Sequence, residues 1–336
     1  MPVRSVLAFG EVMMRLEVPG YATLEQSRTL HYLFSGSGVN VLSGLSRFGY
    51  STRLISKLPA NRLGDAAMTY LRTLGLSTAL ILRGGEYMGM YFLEQGFGVR
   101  SSKVTYTNRK ESSFCQSQLE EYEMDVLLAD ANLIHFCGIS LAVTPNVRRI
   151  VVALAAEAKK RGLTVSFDCN FRPKLWDSYE EAKPWYEKML SLADICMISE
   201  QDAIHILNWE TEETDREKQM QDFLPKISEA FNLSVVAGTI REVAQDGHFL
   251  KGFVFMNGEM ACSKSYHFPV LERIGAGDAF AGGVIHGFFE KMSSQETVDF
   301  AVAASVYAHT TYGDSPVADL KEIEAWMESS YREIER

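Results

Sequence analysis

Short apolar runs alternate with amphipathic stretches along most of the chain, and this alternation constrains the fold more than any other sequence feature. Ser5–Phe9 and Thr164–Asp168 have the length and composition of buried strands. Pro145–Lys160 has the spacing of an amphipathic helix, which Gly162 would end. Repeated alternation predicts an α/β fold, in which a doubly wound, mostly parallel sheet carries helices on both faces. Because no linker divides the chain, we expect residues 1–336 to form a single domain.

Two segments, at about residues 11–34 and 88–112, break this alternation. They contain extended runs, such as Met90–Leu93 and Lys103–Tyr106, without a helix between them. Strands inserted into an α/β chain in this way predict a small separate sheet. The alternative is an antiparallel edge of the main sheet.

Composition argues against several classes of function. The formal net charge is −10, which disfavours a protein built around nucleic acid, since phosphate contacts need clustered Lys and Arg. No apolar run approaches the roughly 20 residues that cross a bilayer, and the N-terminus lacks the pattern of a signal peptide. The five cysteines form no CxxC pair and no metal-ligand spacing. We therefore expect a cytoplasmic protein without a nucleic acid or membrane partner.

The strongest chemical signal is the glycine-rich string Glu272–Gly283, which leads into a predicted helix. Gly275, Ala276 and Gly277 would let backbone N–H groups approach an anion at the N-terminus of that helix. Asp278 falls in the first turn, where the helix field would keep its carboxylate ionised. A carboxylate beside an anion site can accept a hydroxyl proton during phosphoryl transfer. The alternative is a helix N-cap whose glycines serve only a tight turn.

This string resembles the C-terminal signature of the ribokinase-like (PfkB) carbohydrate kinases, normally Asp-x-x-Gly-Ala-Gly-Asp, with Glu272 in place of the first Asp. A second string, Ser35–Val41, is similar to the N-terminal Gly-Gly-x-x-x-Asn segment of the family. The resemblance covers about Ser5 to Asp314 and implies a doubly wound core with a β-lid built from the two helix-poor segments. It also implies an ATP-dependent kinase with Asp278 as its base. The predicted substrate contacts in the N-terminal string are Gly36, Ser37, Gly38 and Asn40.

Within the family, the sequence most resembles kinases of 2-keto-3-deoxygluconate, a small sugar acid. The similar segments are Gly10–Leu16, Gly89–Glu94, Arg100–Tyr106, Phe167–Trp176 and His309–Asp314. The resemblance implies phosphorylation of this acid to its 6-phosphate.

A sugar acid carries one carboxylate and several hydroxyls, and arginine binds a carboxylate through paired, charge-assisted hydrogen bonds. Arg109 and Arg172 are therefore the candidates for contact with the substrate carboxylate. Tyr91 and Tyr106 offer hydroxyls and flat apolar faces, and Asp314 completes the predicted substrate site. Taken one at a time, such residues are as readily explained by packing or by surface charge.

The predicted nucleotide site rests mainly on Thr239 and Arg241, which follow the strand-like run Ser234–Ala237 and resemble the family's ATP-side loop. A loop at the carboxyl edge of a parallel sheet is where a ligand is expected. The resemblance weakly marks Glu200 and Asp202 as Mg²⁺ contacts through water, and Mg²⁺ is expected because it neutralises the nucleotide phosphates. The other predicted nucleotide contacts are Asn170, Arg172, Gly275 and Gly277.

Other functions stay open on sequence grounds. A related kinase could act on fructose, ribose, 5-keto-2-deoxygluconate or a nucleoside. A sugar-binding regulator could share the fold without catalysing a reaction, but such a protein would not need Asp278 as a base. An apolar outer face on the small sheet would indicate a homo-oligomer formed through the lid.

Overall fold

The computed structural model describes residues 3–244 and 247–328, and its strands form two sheets. The strands are β1 (Ser5–Phe9), β2 (Met13–Glu17), β3 (His31–Ser35), β4 (Ser51–Leu58), β5 (Ile81–Arg83), β6 (Met90–Glu94), β7 (Lys103–Thr107), β8 (Leu133–Cys137), β9 (Thr164–Asp168), β10 (Ile195–Met197), β11 (Val235–Ala244), β12 (Gly247–Met256), β13 (Glu259–Cys262) and β14 (Tyr266–Phe268). The helices are α1 (Ser37–Arg47), α2 (Arg62–Thr73), α3 (Met124–Leu127), α4 (Ile139–Val143), α5 (Pro145–Lys160), α6 (Tyr179–Leu192), α7 (Glu200–His205), α8 (Arg216–Phe231), α9 (Ala276–Glu290), α10 (Ser294–Ala308) and α11 (Leu320–Glu328).

The large sheet has the strand order β13-β12-β11-β10-β9-β8-β1-β4-β5. All neighbours from β11 to β5 are parallel, whereas β12 pairs antiparallel with β11, β13 and β14. Successive residues of β1 enter different cores, Leu7 and Phe9 on one face and Val6 and Ala8 on the other. Since side chains alternate along a strand, both faces of the sheet are buried. The predicted doubly wound, mostly parallel α/β sheet is confirmed.

The two helix-poor segments together form a small sheet with the order β3-β2-β6-β7. Its central strands β2 and β6 are parallel, and the outer strands pair antiparallel with them. The prediction of a separate small sheet is confirmed, and the alternative of an antiparallel edge on the main sheet is wrong. Met13 and Arg15 are buried on one face of β2, whereas Tyr32 on the opposite face of the sheet is 61% exposed.

One predicted boundary is wrong in a way that affects the site. The strand predicted to end at Ala237 continues as β11 to Ala244 and pairs along its whole length with β12. Thr239 and Arg241 therefore lie in a paired strand and not in a loop. The partner strand supplies the hydrogen bonds that keep these residues extended, and local sequence periodicity carries no information about that pairing.

Other helix boundaries shift by a few residues. Helix α9 begins at Ala276, so Gly275 is its N-cap and Ala276 to Asp278 form its first turn. The predicted end of the last helix, Arg332, lies outside the described residues. Across residues 3–244 and 247–328, no helix combines the length and the apolar character that a membrane span requires. The organisation of the chain as a single domain stays a prediction.

Candidate active site

A cleft of about 1030 Å³ lies between the N-terminus of α9, the carboxyl ends of the central strands and the small sheet. Its volume is sufficient for a small sugar together with a nucleotide. Most of the residues predicted for the site line this one cleft, although Ala276, Thr239, Glu200 and Asp202 do not. The predicted residues that line it are Gly36, Ser37, Gly38, Asn40, Tyr91, Tyr106, Arg109, Asn170, Arg172, Arg241, Gly275, Gly277, Asp278 and Asp314.

The two glycines before Asp278 have different physical reasons to be glycine. Gly275 is the N-cap of α9 with φ +86°, a left-handed conformation, and a Cβ there would overlap the carbonyl oxygen of Asp314. A Cβ on Gly277 would meet no heavy atom within 4 Å. Gly275 is therefore required by the backbone, whereas Gly277 leaves open space beside the free N–H groups of the helix N-terminus. That space can hold an anionic oxygen.

Asp278 is held at the bottom of the cleft by two hydrogen bonds. Its Oδ1 accepts from Ser37 Oγ at 2.6 Å, and its Oδ2 accepts from Asn40 Nδ2 at 2.7 Å. Asn40 is itself oriented by Ser315, whose Oγ donates to Asn40 Oδ1 at 3.1 Å. Ser37 and Asn40 were predicted to contact the substrate. These polar atoms instead orient the carboxylate of Asp278.

The pKa of Asp278 is controlled by burial. Burial raises this pKa to about 6, even though the hydrogen bonds from Ser37 and Asn40 act to lower it. Burial therefore opposes the effect of the helix field, which was expected from the sequence to keep this carboxyl ionised. For a pKa of about 6, roughly nine-tenths of the carboxyl is still ionised at pH 7. A carboxylate tuned this close to neutral pH suits a general base.

Tyr91 and Asp314, both predicted to contact substrate, are bonded to each other. The Tyr91 hydroxyl donates to Asp314 Oδ2 at 2.5 Å and lies 3.1 Å from Ser35 Oγ. Asp314 also pairs with the buried guanidinium of Arg15. The contact that these residues offer a substrate is thus chiefly the Tyr91 ring, since their polar groups are already engaged.

Arg109 lies on the same wall with its guanidinium carbon 5.3 Å from the centre of the Tyr106 ring. Its Nε donates to Glu11 Oε2 at 2.8 Å, and its side chain is 14% exposed. Sequence reasoning missed Glu11. The position of Glu11 just after β1, at the carboxyl edge of the sheet, could have identified it from the sequence. Nε forms the ion pair with Glu11. Neither Nη group donates a hydrogen bond to an acceptor among the described residues.

Arg172 is exposed in the cleft, and its hydrogen-bond acceptors among the described residues are the backbone oxygens of Asn170 and Phe171. Its charge acts to lower the pKa of both Asp278 and Asp168. Arg172 thus stands close to the proposed base without being neutralised by an ion pair.

Asp168, at the end of β9, is a second site carboxylate that sequence reasoning missed. It is the second residue of the segment Phe167–Trp176, so the sequence string that resembled the family already contained it. Burial first, and then the charge of Asp278, raise the pKa of Asp168 to about 8. Without a cation, most of the Asp168 carboxyl is therefore protonated at pH 7, and a cation bound beside it would favour the ionised form.

Two further cationic side chains, Arg241 and Arg273, are exposed in the same cleft. Neither guanidinium forms an ion pair with a carboxylate of the described residues. Burial and then the charge of Arg273 lower the pKa of Arg241, so the two guanidiniums are near each other. Arg273 was noted in the sequence only as part of a motif. Together they form a site that fits a polyanion.

The predicted metal contacts Glu200 and Asp202 are engaged elsewhere. Glu200 is buried and pairs with Arg216 at 2.6 Å. Asp202 caps α7, accepting from both N and Oγ of Ser199. Within the described part of the chain, no group of three or more His, Cys, Asp or Glu side chains is arranged to hold a metal ion. The role of these two residues stays a prediction.

Comparison with known proteins finds similar chains of similar length. The chain is 33% identical to the solved structure of a 2-dehydro-3-deoxygluconokinase from Thermotoga maritima, with a TM-score of 0.93 and coverage of 97% of this chain and 100% of that one. It is 26% identical over 331 residues to the 2-dehydro-3-deoxygalactonokinase of Haloferax volcanii, covering 98% of this chain and 99% of the relative. It is 24% identical over 335 residues to the 5-dehydro-2-deoxygluconokinase of Lacticaseibacillus casei, covering 97% and 96%.

The profile of the pfkB family carbohydrate kinases matches residues 3–319. This match includes both strings that resembled the family, the glycine-rich turn before α9 and the segment that begins α1. The chain therefore belongs to the pfkB family of carbohydrate kinases.

Proposed function

We propose that the protein transfers the γ-phosphoryl group of ATP to a small keto-deoxy sugar acid, 2-keto-3-deoxygluconate, and releases its 6-phosphate. The observation that carries the proposal is the position of Asp278, an oriented carboxylate one residue from the open backbone of Gly277. A base and an anion site side by side are the two parts that phosphoryl transfer to a hydroxyl requires.

In the proposed reaction, Asp278 accepts the proton of the attacking hydroxyl. The transition state of phosphoryl transfer is loose, so the proton moves late and the base chiefly orients the hydroxyl beforehand. The N–H groups at residues 275–277 stabilise the negative charge on the phosphoryl oxygens. Ser37 and Asn40 keep the carboxylate aimed at the hydroxyl.

An acidic substrate is supported by the arginines of the cleft. Among the described residues, the Nη groups of Arg109 and the guanidinium of Arg172 have no carboxylate partner, so either can bind the carboxylate of a sugar acid. The three relatives are named as kinases of dehydro-deoxy sugar acids of the gluconate or galactonate type, which agrees with this chemistry.

For the nucleotide, we propose that Arg241 and Arg273 bind the ATP phosphates and that Asn170 contributes to the same site. Mg²⁺ bound to ATP neutralises the phosphates and needs few protein ligands. Asp168 fits this ion because it lines the cleft close enough to Asp278 for the two charges to interact, and a cation would favour its ionised form, whereas Glu200 is already paired with Arg216. Because the reaction consumes ATP, we expect the protein to act in the cytoplasm.

The test is a coupled assay of ATP turnover over a panel of acceptors. We expect the highest kcat/KM for 2-keto-3-deoxygluconate, compared with its galacto epimer, 5-keto-2-deoxygluconate, fructose, ribose and adenosine. Arg172→Ala should lower kcat/KM for the acid by roughly ten- to a hundredfold, the effect of losing a charge-assisted contact, and should affect fructose much less. A preference for fructose, ribose or adenosine would overturn the substrate assignment.

The competing substrate is 5-keto-2-deoxygluconate, for which the relative from L. casei is named. It carries the same carboxylate and differs in where the keto and deoxy carbons lie, so the arginines alone do not separate the two acids. The same panel distinguishes them. A regulator without catalytic activity is less well supported, because the oriented Asp278 would then have no task.

We also propose that the protein forms a homo-oligomer through the outer face of the small sheet. On that face, Leu16 stands in register with Tyr32 of β3 and with Phe92 of β6, so three apolar side chains form one row across the strands. Tyr32 is 61% exposed, as expected for a surface that a second subunit covers. Tyr32→Lys should lower the mass measured by light scattering, and a monomeric wild-type protein would refute the proposal.

A further inference from the structure

Arg15 is a fully buried arginine that lies outside the cleft and joins three segments of the chain. Its Nη2 lies 2.5 Å from Glu272 Oε2 and 2.8 Å from Glu17 Oε2, and its Nη1 pairs with Asp314. Burial alone would lower the pKa of Arg15, but the charges of Asp314 and Glu272 outweigh it and raise this pKa. Arg15 thus pairs with three carboxylates, those of Glu17, Glu272 and Asp314.

Glu272 connects Arg15 to the backbone that leads into the proposed anion site. While its Oε2 binds Arg15, its Oε1 accepts from the N–H of Arg273 at 2.8 Å and of Ile274 at 3.2 Å. The carboxylate therefore fixes two successive peptide units immediately before Gly275. Gln95, just beyond β6, donates to the same Glu272 Oε2 at 3.2 Å, so a second residue next to the small sheet supports it.

Asp314 fixes the same turn from the other side. Its carboxylate is bound by Arg15 and by the Tyr91 hydroxyl, both of which belong to the small sheet. Its carbonyl oxygen packs against Gly275 so closely that no Cβ fits between them. The backbone on both sides of Gly275 is thus positioned by side chains that Arg15 binds directly.

We propose that Arg15 is a positioning residue, which holds residues 272–277 in the conformation that binds the transferring phosphoryl group and makes this conformation depend on the docked small sheet. Arg15 does not line the cleft, so its effect must pass through Glu272 and Asp314, which do. The kinetic part rests on the proposed phosphoryl transfer. The structural coupling between the small sheet and the turn does not.

The test uses Arg15→Lys in the full-length protein, which keeps the charge but removes the forked geometry that reaches two carboxylates at once. We expect kcat to fall roughly ten- to a hundredfold, while KM for sugar and for ATP changes less than about threefold. Without ligands, amide hydrogen exchange of a peptide covering residues 270–280 should become faster, while exchange of residues 145–160 stays unchanged.

Arg148→Lys is the matched control. Arg148 is also buried, pairs with one carboxylate, Glu181, and lies outside the cleft. It should lower the melting temperature without changing exchange at 270–280 or the ratio of kcat to KM. If Arg148→Lys accelerates exchange at 270–280 as much as Arg15→Lys does, the effect is general loosening and the proposal is wrong.

If Arg15→Lys does not fold, Glu272→Gln replaces it, because the amide oxygen can still accept from the backbone while the ion pair is lost. It should produce the same change in exchange at 270–280. Unchanged exchange in the folded variant overturns the proposal. Since exchange is measured without substrates, faster exchange combined with an unexpected acceptor preference would refute the proposed function and leave the positioning role supported.

Discussion

The two sides of the cleft differ in how their charges are balanced. On the side formed with the small sheet, Arg109 is paired with Glu11 at the cleft wall, and the buried Arg15, outside the cleft, pairs with Asp314, which lines it. On the other side, Arg241 and Arg273 reach the cleft without an ion pair to a described carboxylate. The positive charges of the first side already have carboxylate partners within the protein. Those of the second side would gain partners only when an anionic ligand binds.

This difference matches the chemistry of the two proposed substrates. A small sugar acid offers one carboxylate and weakly polar hydroxyls, and it is best bound by groups whose geometry is fixed in advance. A nucleotide triphosphate brings several negative charges, which unpaired guanidiniums can bind without first breaking an internal ion pair. The expected effects below run from the largest to the smallest.

Asp278→Asn should have the largest effect, because it removes the proposed base, which the reaction needs whichever side of the cleft binds each substrate. The amide keeps the size and most hydrogen bonds but cannot accept the proton. We expect kcat to fall by roughly 10²–10⁴ with ATP affinity and melting temperature nearly unchanged. Near wild-type turnover on the true substrate would rule out the base assignment, and an unfolded variant would favour a purely structural role as a helix cap.

Gly277→Ala tests whether the open space beside the helix N-terminus is the anion site. The added methyl meets no protein atom within 4 Å, so it should block only a ligand. Because Ala favours a helix over Gly by about 1 kcal/mol, stability should stay equal or rise while kcat falls by roughly 10²–10³. Gly275→Ala is the contrasting variant and should destabilise the fold. Retained activity in Gly277→Ala would exclude phosphoryl binding there.

Matched substitutions on the two sides should separate their ligands. Arg241→Gln and Arg273→Gln should each raise KM for ATP by roughly tenfold with little change in KM for sugar, whereas Arg109→Gln should do the reverse. Steady-state kinetics with each substrate varied in turn measure both constants. If all three variants raised the same KM, the division of the cleft into a sugar side and a nucleotide side would be wrong.

The acid limb of the pH profile should report the buried base. Because the Asp278 pKa is raised to about 6 and the ionised form is the active one, kcat/KM for sugar should fall tenfold per pH unit well below pH 6. The control is Asp168→Asn, which should keep this limb. An acid limb near pH 4 would mean that burial does not dominate the ionisation of Asp278.

The smallest effect is on stability, and its sign follows from the same shifts. Both Asp278 and Asp168 have a higher pKa in the folded protein than the roughly 3.9 of an unfolded chain, so the folded state binds protons more tightly. The contribution of these two carboxyls to the free energy of unfolding should therefore decrease as the pH rises from about 4 to about 8. Urea unfolding at pH 5 and pH 8 measures this, and Asp168→Asn should reduce the difference.

The sequence by itself determined the features that depend on local pattern. The alternation of apolar runs defined the α/β core, and the string at Gly275–Gly277 marked a helix N-terminus, the proposed anion site, with Asp278 beside it. These signals survive in one sequence because strand burial and helix starts depend on neighbouring residues. The same reasoning separated the small sheet, since its segments lacked helices.

The tertiary structure decided everything that joins distant parts of the chain. Arg15 and Asp314 are 299 residues apart and Arg15 and Glu272 are 257 apart, so no periodicity could pair them. The pKa of Asp278 follows from what packs around it, which local sequence does not specify. Thr239 was assigned to a loop because its partner strand could not be identified locally. Pairing and desolvation arise only when the folded chain brings these groups together, and they determine which polar groups remain free for a ligand.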